Sequence, residues 1–285
     1  MFGEVLFVVD HNESKVVSVS PRVVEAITLF DAHVHVYEGA DVADLLNAAA
    51  GHFRKTATAV GASDWRGVLF LTEIAGTSWF ETVSGAHDGR QFDAWRITGM
   101  PTDPLSLEAR SETESLYIVA GRQIVTSERV EVHALGTREA IADGMELPAT
   151  VRAVQAVGAL AVIPWGAGKW LGKRGRLVAA MLASADSGLF VSDNSGRPWF
   201  WHDPLLARLR AAGRPILRGS DPLPLRAEER RVGGFGCWFR GADHIPAHRL
   251  IARIRNSAAK DLYPYGPKES LWWFLRNQVL LRLKS

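Results

Sequence analysis

Short apolar, β-rich runs alternate with helical patterns along most of this chain, and that alternation restricts the fold more than any other feature. Leu29–Val36 reads as a strand. Asp41–Val60, with Asp41 as N-cap and Ala and Leu at helical spacing, reads as the helix that follows. Gly67–Glu73, Leu116–Ala120 and Val130–Leu135 continue as strands, and Pro148–Val157 opens a helix with proline in its first turn. Then come the strand Ala159–Ile163, a helix from Leu177, the strand Leu189–Ser192, a helix Pro204–Ala212 closed by Gly213, and the strand Pro215–Leu217. Repeated βα units predict a parallel sheet, open or closed into a barrel. Residues 74–115, with Trp79, Phe80, Phe92 and Trp95, read as a partly ordered insertion. The whole of 1–285 is expected to be one domain, with an N-terminal extension over 1–28 and a helical tail over 244–285.

Composition narrows the chemistry. With 285 residues, 47% hydrophobic and 22% charged, the chain lies in the globular range. A single cysteine, Cys237, allows no intrachain disulfide, so a metal would be held by His and carboxylate groups. Met1–Val9 is apolar but short, has no basic leader and runs into Asp10, and no uncharged stretch is long enough to span a bilayer. A cytoplasmic, reducing setting is the expectation. Residues 1–150 hold 11 basic against 22 acidic side chains, and residues 151–285 hold 22 against 9. This asymmetry suits an acidic cation site facing a basic anion site, or two solvated faces that partly neutralise each other.

The sharpest local motif is Phe30-Asp31-Ala32-His33-Val34-His35-Val36. Residues i and i+2 of a strand face one side, so the imidazoles of His33 and His35 can chelate one ion. As core histidines bonded to their neighbours, they would instead be structural.

In the order of its motifs over Leu29–Asp221, the chain resembles the polymerase and histidinol phosphatase (PHP) superfamily. That family opens with HxH, here His33 and His35, and its second strand ends in Thr-Asp-His, here Thr72-Glu73-Ile74. Gly121-Arg122-Gln123 and Val132-His133-Ala134-Leu135-Gly136 resemble its next two segments, with Gln123 where the family has glutamate. Val162-Ile163-Pro164 stands for its Ala-His-Pro and Ser220-Asp221-Pro222-Leu223 for its Ser-Asp-x-His. The resemblance implies a distorted (β/α)7 barrel with a helical C-terminal tail. It also implies a metal set of His33, His35, Glu73, His133 and Asp221, with Asp221 and His133 catalytic. Three family histidines and a glutamate are replaced, which leaves enough ligands for one divalent ion of the Zn, Mn or Fe type. The amidohydrolase pattern also starts with HxH, but it needs later strand-end histidines that are missing here.

The stretch Pro164–Arg176 supplies Gly166, Gly168, Lys169, Lys173 and Arg174 after a strand and before a helix. It suits a phosphate or carboxylate, or else forms an exposed basic turn; its spacing is not that of a Walker A loop. Asp193 is a cleft-edge carboxylate or a turn former, and Arg230 and Arg231 beside Gly233-Gly234 either close over an anion or sit in a solvated loop. The run Leu271–Leu275, with Val279, Leu280, Leu281 and Leu283, is expected to cover the barrel, with a membrane or a second subunit as alternatives. His11, His52, His87, His202, His244 and His248 receive no role. The expected activity is metal-assisted hydrolysis of a small, phosphorylated substrate. The alternative is a catalytically weakened PHP-like protein that binds an anionic ligand or a protein partner. Nucleic acid is not expected, because the basic residues are not interleaved with a stacking platform.

Overall fold

The computed structural model describes residues 24–184, 188–225, 227–241 and 247–284. Its first strand, β1 (Val24–Val34), begins five residues before Leu29, so the described end of the expected N-terminal extension is already sheet. Helix α1 (Val42–Ala59) follows as predicted, with the Asp41 carboxylate accepting from the Asp44 amide at 2.9 Å. Strand β2 (Ala62–Leu71) runs parallel to β1. Residues 74–115 are not a loose insertion. They form α2 (Trp79–Ser84) and a meander of β3 (Arg90–Phe92), β4 (Trp95–Met100) and β5 (Asp103–Arg110), which leads into β6 (Ser115–Val119) beside β2. Phe80 and Trp95 are buried in the core, which is why this segment is ordered.

The second half contributes β7 (Gly121–Val125), β8 (Glu131–Leu135), α3 (Leu147–Ala156), β9 (Leu160–Pro164), α4 (Gly172–Ser184), β10 (Leu189–Asn194), α5 (Pro204–Ala211) and β11 (Ile216–Gly219). Strands β9, β10 and β11 are parallel, as the βα pattern predicts. β12 (Gly236–Arg240) comes before the expected tail, which holds α6 (Ala247–Asn256), β13 (Tyr263–Tyr265) and α7 (Leu271–Lys284) and so is not purely helical. No helix among the described residues is long and apolar enough to cross a membrane.

The expected (β/α)7 barrel does not form. The strands make two mixed sheets, an eight-stranded one in the order β13-β12-β1-β2-β6-β5-β4-β3 and a five-stranded one in the order β11-β10-β9-β8-β7. Closure fails because β12 pairs antiparallel along β1 from Ile27 to Phe30, taking the edge a closing strand would need. At the other side β6 is occupied by the β5 meander, and β7 turns back antiparallel on β8. The sheets touch along two seams, marked by the isolated Glu73–Arg122 bridge and by the Asp221 amide donating to the His33 carbonyl at 2.9 Å.

Three apolar layers result. Helix α1 covers the outer face of the large sheet through Leu45, Leu46, Ala49 and Phe53, and Phe53 lies against Gly67, where a β-carbon would stand 2.4 Å from its ring. Helices α3, α4 and α5 cover the outer face of the small sheet. Between the sheets lie Phe30, Ala32, Phe70, Leu135, Val162, Phe190 and Leu217, closed at one end by Leu250, Ile251 and Ile254 of α6. The candidate site sits at the other end of this middle layer.

Candidate metal centre

Strand β1 alternates strictly at first: Ile27 and Leu29 face α1, while Phe30 and Ala32 face the space between the sheets. Continued alternation would send His33 and His35 toward α1. A register shift between Asp31 and Val34, where three steps of β1 match two of β2, reverses the phase. Val34 then packs under α1, and both histidines turn into the inter-sheet space, His33 at 2% exposure and His35 at 7%. The bulge therefore aims the HxH motif at the site.

Across the seam, β11 ends in Gly219 and the chain turns through Ser220 and Asp221. Asp221 has φ +50, and it precedes Pro222, which disfavours helical conformations at that position, so its backbone is held against its preference. Its restraints are visible. The Asp221 amide donates to the His33 carbonyl, and Asn194 Nδ2 donates to Asp221 Oδ2 at 2.9 Å. The buried Asp31 carboxylate accepts from the amides of His33 (3.1 Å), Ser220 (2.9 Å) and Gly233 (2.9 Å), tying β1 to both loops at the mouth. Burial pushes the Asp31 carboxyl up to about 6, against the pull of those donors.

The three side chains converge. His33 Nε2 lies 3.0 Å from His35 Nε2, and Asp221 Oδ1 lies 3.3 Å from the first and 3.7 Å from the second. Ligand atoms about 2.0–2.2 Å from a tetrahedral ion stand roughly 3.3–3.6 Å apart, so this spacing suits one shared ion. The group His33, His35 and Asp221 can hold a metal. Burial, followed by the neighbouring positive charge of His35 and Lys169, holds His33 well below the usual imidazole range. Burial also lowers His35, although the carboxylates of Asp221 and Glu131 pull it back up. Both rings are thus kept in the neutral, ligating form. Thr72 Oγ1 donates to the Val34 carbonyl at 3.2 Å, so in its 3.4 Å contact with His35 it accepts from the ring Nδ1–H, which leaves Nε2 its lone pair. Burial raises Asp221, opposed by His35, Lys169, Arg231 and the Asn194 amide.

The other expected ligands lie differently. His133 is fully buried with its ring centroid 4.2 Å from that of His33, but its Nε2 is engaged by Gln123 Oε1 at 3.1 Å, and its Nδ1 has no hydrogen-bond partner. It borders the three-ligand group without joining it. Glu73 is turned away: its Oε1 accepts from the Phe80 amide at 2.9 Å, and its Oε2 pairs with Arg122 at 3.1 Å. Ile163, matched above to a family ligand, packs in the outer layer under the helices and does not face the site.

In the basic loop, Lys169 pairs with Glu131, its stem folded over Gly166, and its charge bears on His33, His35, His133 and Asp221. Arg174 donates to the Gly168 carbonyl at 3.0 Å, and Lys173 is exposed, so these two cations serve the turn and the surface. Asp193 is fully buried and clamped by Arg197, with Lys268 at 3.5 Å, so it is neither a cleft-edge carboxylate nor a turn former. Arg231 bonds Glu228 (3.1 Å), Glu269 (2.5 Å) and Ser195 Oγ (2.6 Å), while Arg230 pairs with Asp44 at the surface.

Four residues near the site were given no role from the sequence: Asp31, Thr72, Glu131 and Asn194. Glu131 was the most accessible, because it stands two residues before His133 on one strand and so shares its face. Asp31 and Asn194 act across long sequence separations, which local spacing does not reveal.

No family model matches the chain, and no curated protein is significantly similar to it. Among solved structures the chain is similar to the crystal structure of PsfC from Pseudomonas syringae PB-5123. The TM-score is 0.56 and the sequence identity 11%, over 91% of this chain and 100% of that one. At that identity the likeness concerns the fold alone.

Proposed function

We propose that this protein is a metal-dependent hydrolase of small anionic esters, with a phosphate ester as the substrate class. The observation that carries the reading is the meeting of two neutral imidazoles and a carboxylate at 3.0–3.7 Å, in a mouth where the charges of Lys169 and Arg231 both bear on Asp221. These three groups would hold a zinc, manganese or iron ion, which would supply Lewis acidity and a lowered pKa for water when bound. The chain's own groups do the rest. Asn194, bonded to Asp221 Oδ2, keeps Oδ1 turned to the two histidines, and His133 offers its unpartnered Nδ1 beside His33 as a proton acceptor. Burial and the carboxylates of Asp221 and Glu131 keep the Tyr37 hydroxyl protonated, so it is a hydrogen-bond donor at the same mouth. Lys169 and Arg231, each paired with carboxylates, supply the positive field that draws the anion to the mouth.

A second reading, an anion-binding protein without turnover, is favoured by one observation: Glu73 is held by Arg122 and His133 by Gln123, which leaves three ligands at the site. A panel of phosphomonoesters and diesters, assayed with added zinc, manganese or iron, separates the two. Hydrolysis is expected in the parent and lost in His33→Ala/His35→Ala. Silence across the panel in metal-loaded protein would favour binding alone.

A further inference from the structure

Helix α7 carries apolar side chains on its outward side as well as toward the body. Its inner stripe carries Asn277, whose Nδ2 donates to the buried Glu228 at 3.2 Å, and the half-buried Phe274 against Trp201. The outward positions Trp272, Leu275, Val279 and Leu283 recur at helical spacing and are 73%, 49%, 55% and 78% exposed. A surface helix in water shows the opposite pattern. Trp199 and Phe200 are also exposed, in the loop after β10, which meets the α7 segment where the Glu269 amide donates to the Ser195 carbonyl at 2.9 Å and where Trp201 packs on Phe274. Nothing among the described residues covers these side chains.

Charge identifies the occupant. Residues 271–284 contain Arg276, Arg282 and Lys284 and no acid, and Glu269 just before them is bound by Arg231. Arg276 stacks on Trp273 at 4.6 Å. A two-fold pairing of this helix with a second copy would oppose like charges across an isologous interface. An anionic lipid surface would instead attract them, and tryptophan belongs at the boundary between headgroups and acyl chains. We propose that α7, with Trp199 and Phe200, is an interfacial docking surface for an anionic bilayer.

Co-sedimentation of the full chain with phosphatidylcholine vesicles, with and without phosphatidylglycerol, tests this at low salt. Binding to the anionic vesicles is expected to be about tenfold tighter or more, and weakened by salt. Trp272→Ser/Leu275→Ser should lose about tenfold on the anionic vesicles with an unchanged circular dichroism spectrum. Arg276→Gln/Arg282→Gln should abolish the preference for phosphatidylglycerol. Absence of binding to anionic vesicles, or equal binding by parent and both variants, would overturn the proposal. So would a lipid-independent dimer in sedimentation velocity that the serine variant abolishes.

Discussion

Gly219 lies so close to His33 that a β-carbon on it would stand 2.3 Å from the His33 β-carbon and 2.5 Å from its amide nitrogen. That contact lets β11 abut β1 and deliver Asp221 to the two histidines. Gly219→Ala would force the strands apart, and the opposing atom is backbone, which cannot swing away. We expect a loss of about 1–3 kcal/mol in urea unfolding and a fall of at least about tenfold in zinc affinity. Parent-like values for both would show that the seam does not position Asp221.

Asp31 gives a pH signature. Its folded carboxyl, at about 6, is raised above its ordinary 3.8, so the folded state binds the proton more tightly than the unfolded chain. The stability it contributes is fully present below about 3.8 and is lost as pH rises through about 6. In chelator-treated protein, the gain in unfolding free energy from pH 7.5 to pH 5 should be about 1 kcal/mol larger in the parent than in Asp31→Asn. Equal pH dependence in the two proteins would contradict this assignment.

The buried Asp193–Arg197 pair is structural. Arg197→Met leaves the carboxylate with only Lys268, at 3.5 Å, and should lower stability toward the smaller end of about 3–5 kcal/mol. Metal stoichiometry of the folded fraction should not change. A metal-free but fully stable variant would instead make Asp193 part of the site.

The site was more legible in the sequence than the architecture was. His33 and His35 declare themselves because a spacing of two on a strand guarantees a shared face, whichever face that is. The bulge that selects the face leaves no local mark. Alternation of strands and helices was visible, but closure depends on which strands pair, and Gly236–Arg240 hid its role because a five-residue run beside glycines also reads as a loop. Its pairing with β1 joins residues more than 200 apart in sequence. Glu73 and Ile163 were misplaced for a related reason: matching short motifs by order does not settle the direction of each side chain. Asp221 was assigned through the resemblance of Ser220-Asp221 to the family's Ser-Asp-x-His, which does not reveal the Asn194 and Asp31 contacts that hold its loop.

Glu131 and Lys169 offer a charge test of the anion pocket. Glu131→Gln frees the ammonium and should tighten inorganic phosphate binding about threefold to tenfold, whereas Lys169→Ala should weaken it by roughly 1.5–3 kcal/mol. Calorimetry at low salt reads both. Identical affinities across parent and variants would remove Lys169 from ligand binding.

The most direct measurement is the metal content of tag-free protein purified without chelator, by plasma mass spectrometry, beside a zinc titration of the stripped protein. One equivalent of a divalent metal per chain is expected in the parent, and none in a His33→Ala/His35→Ala variant whose circular dichroism spectrum is unchanged. A parent that neither retains nor binds a divalent ion, or a double variant that binds it as tightly, would contradict the metal centre at His33, His35 and Asp221.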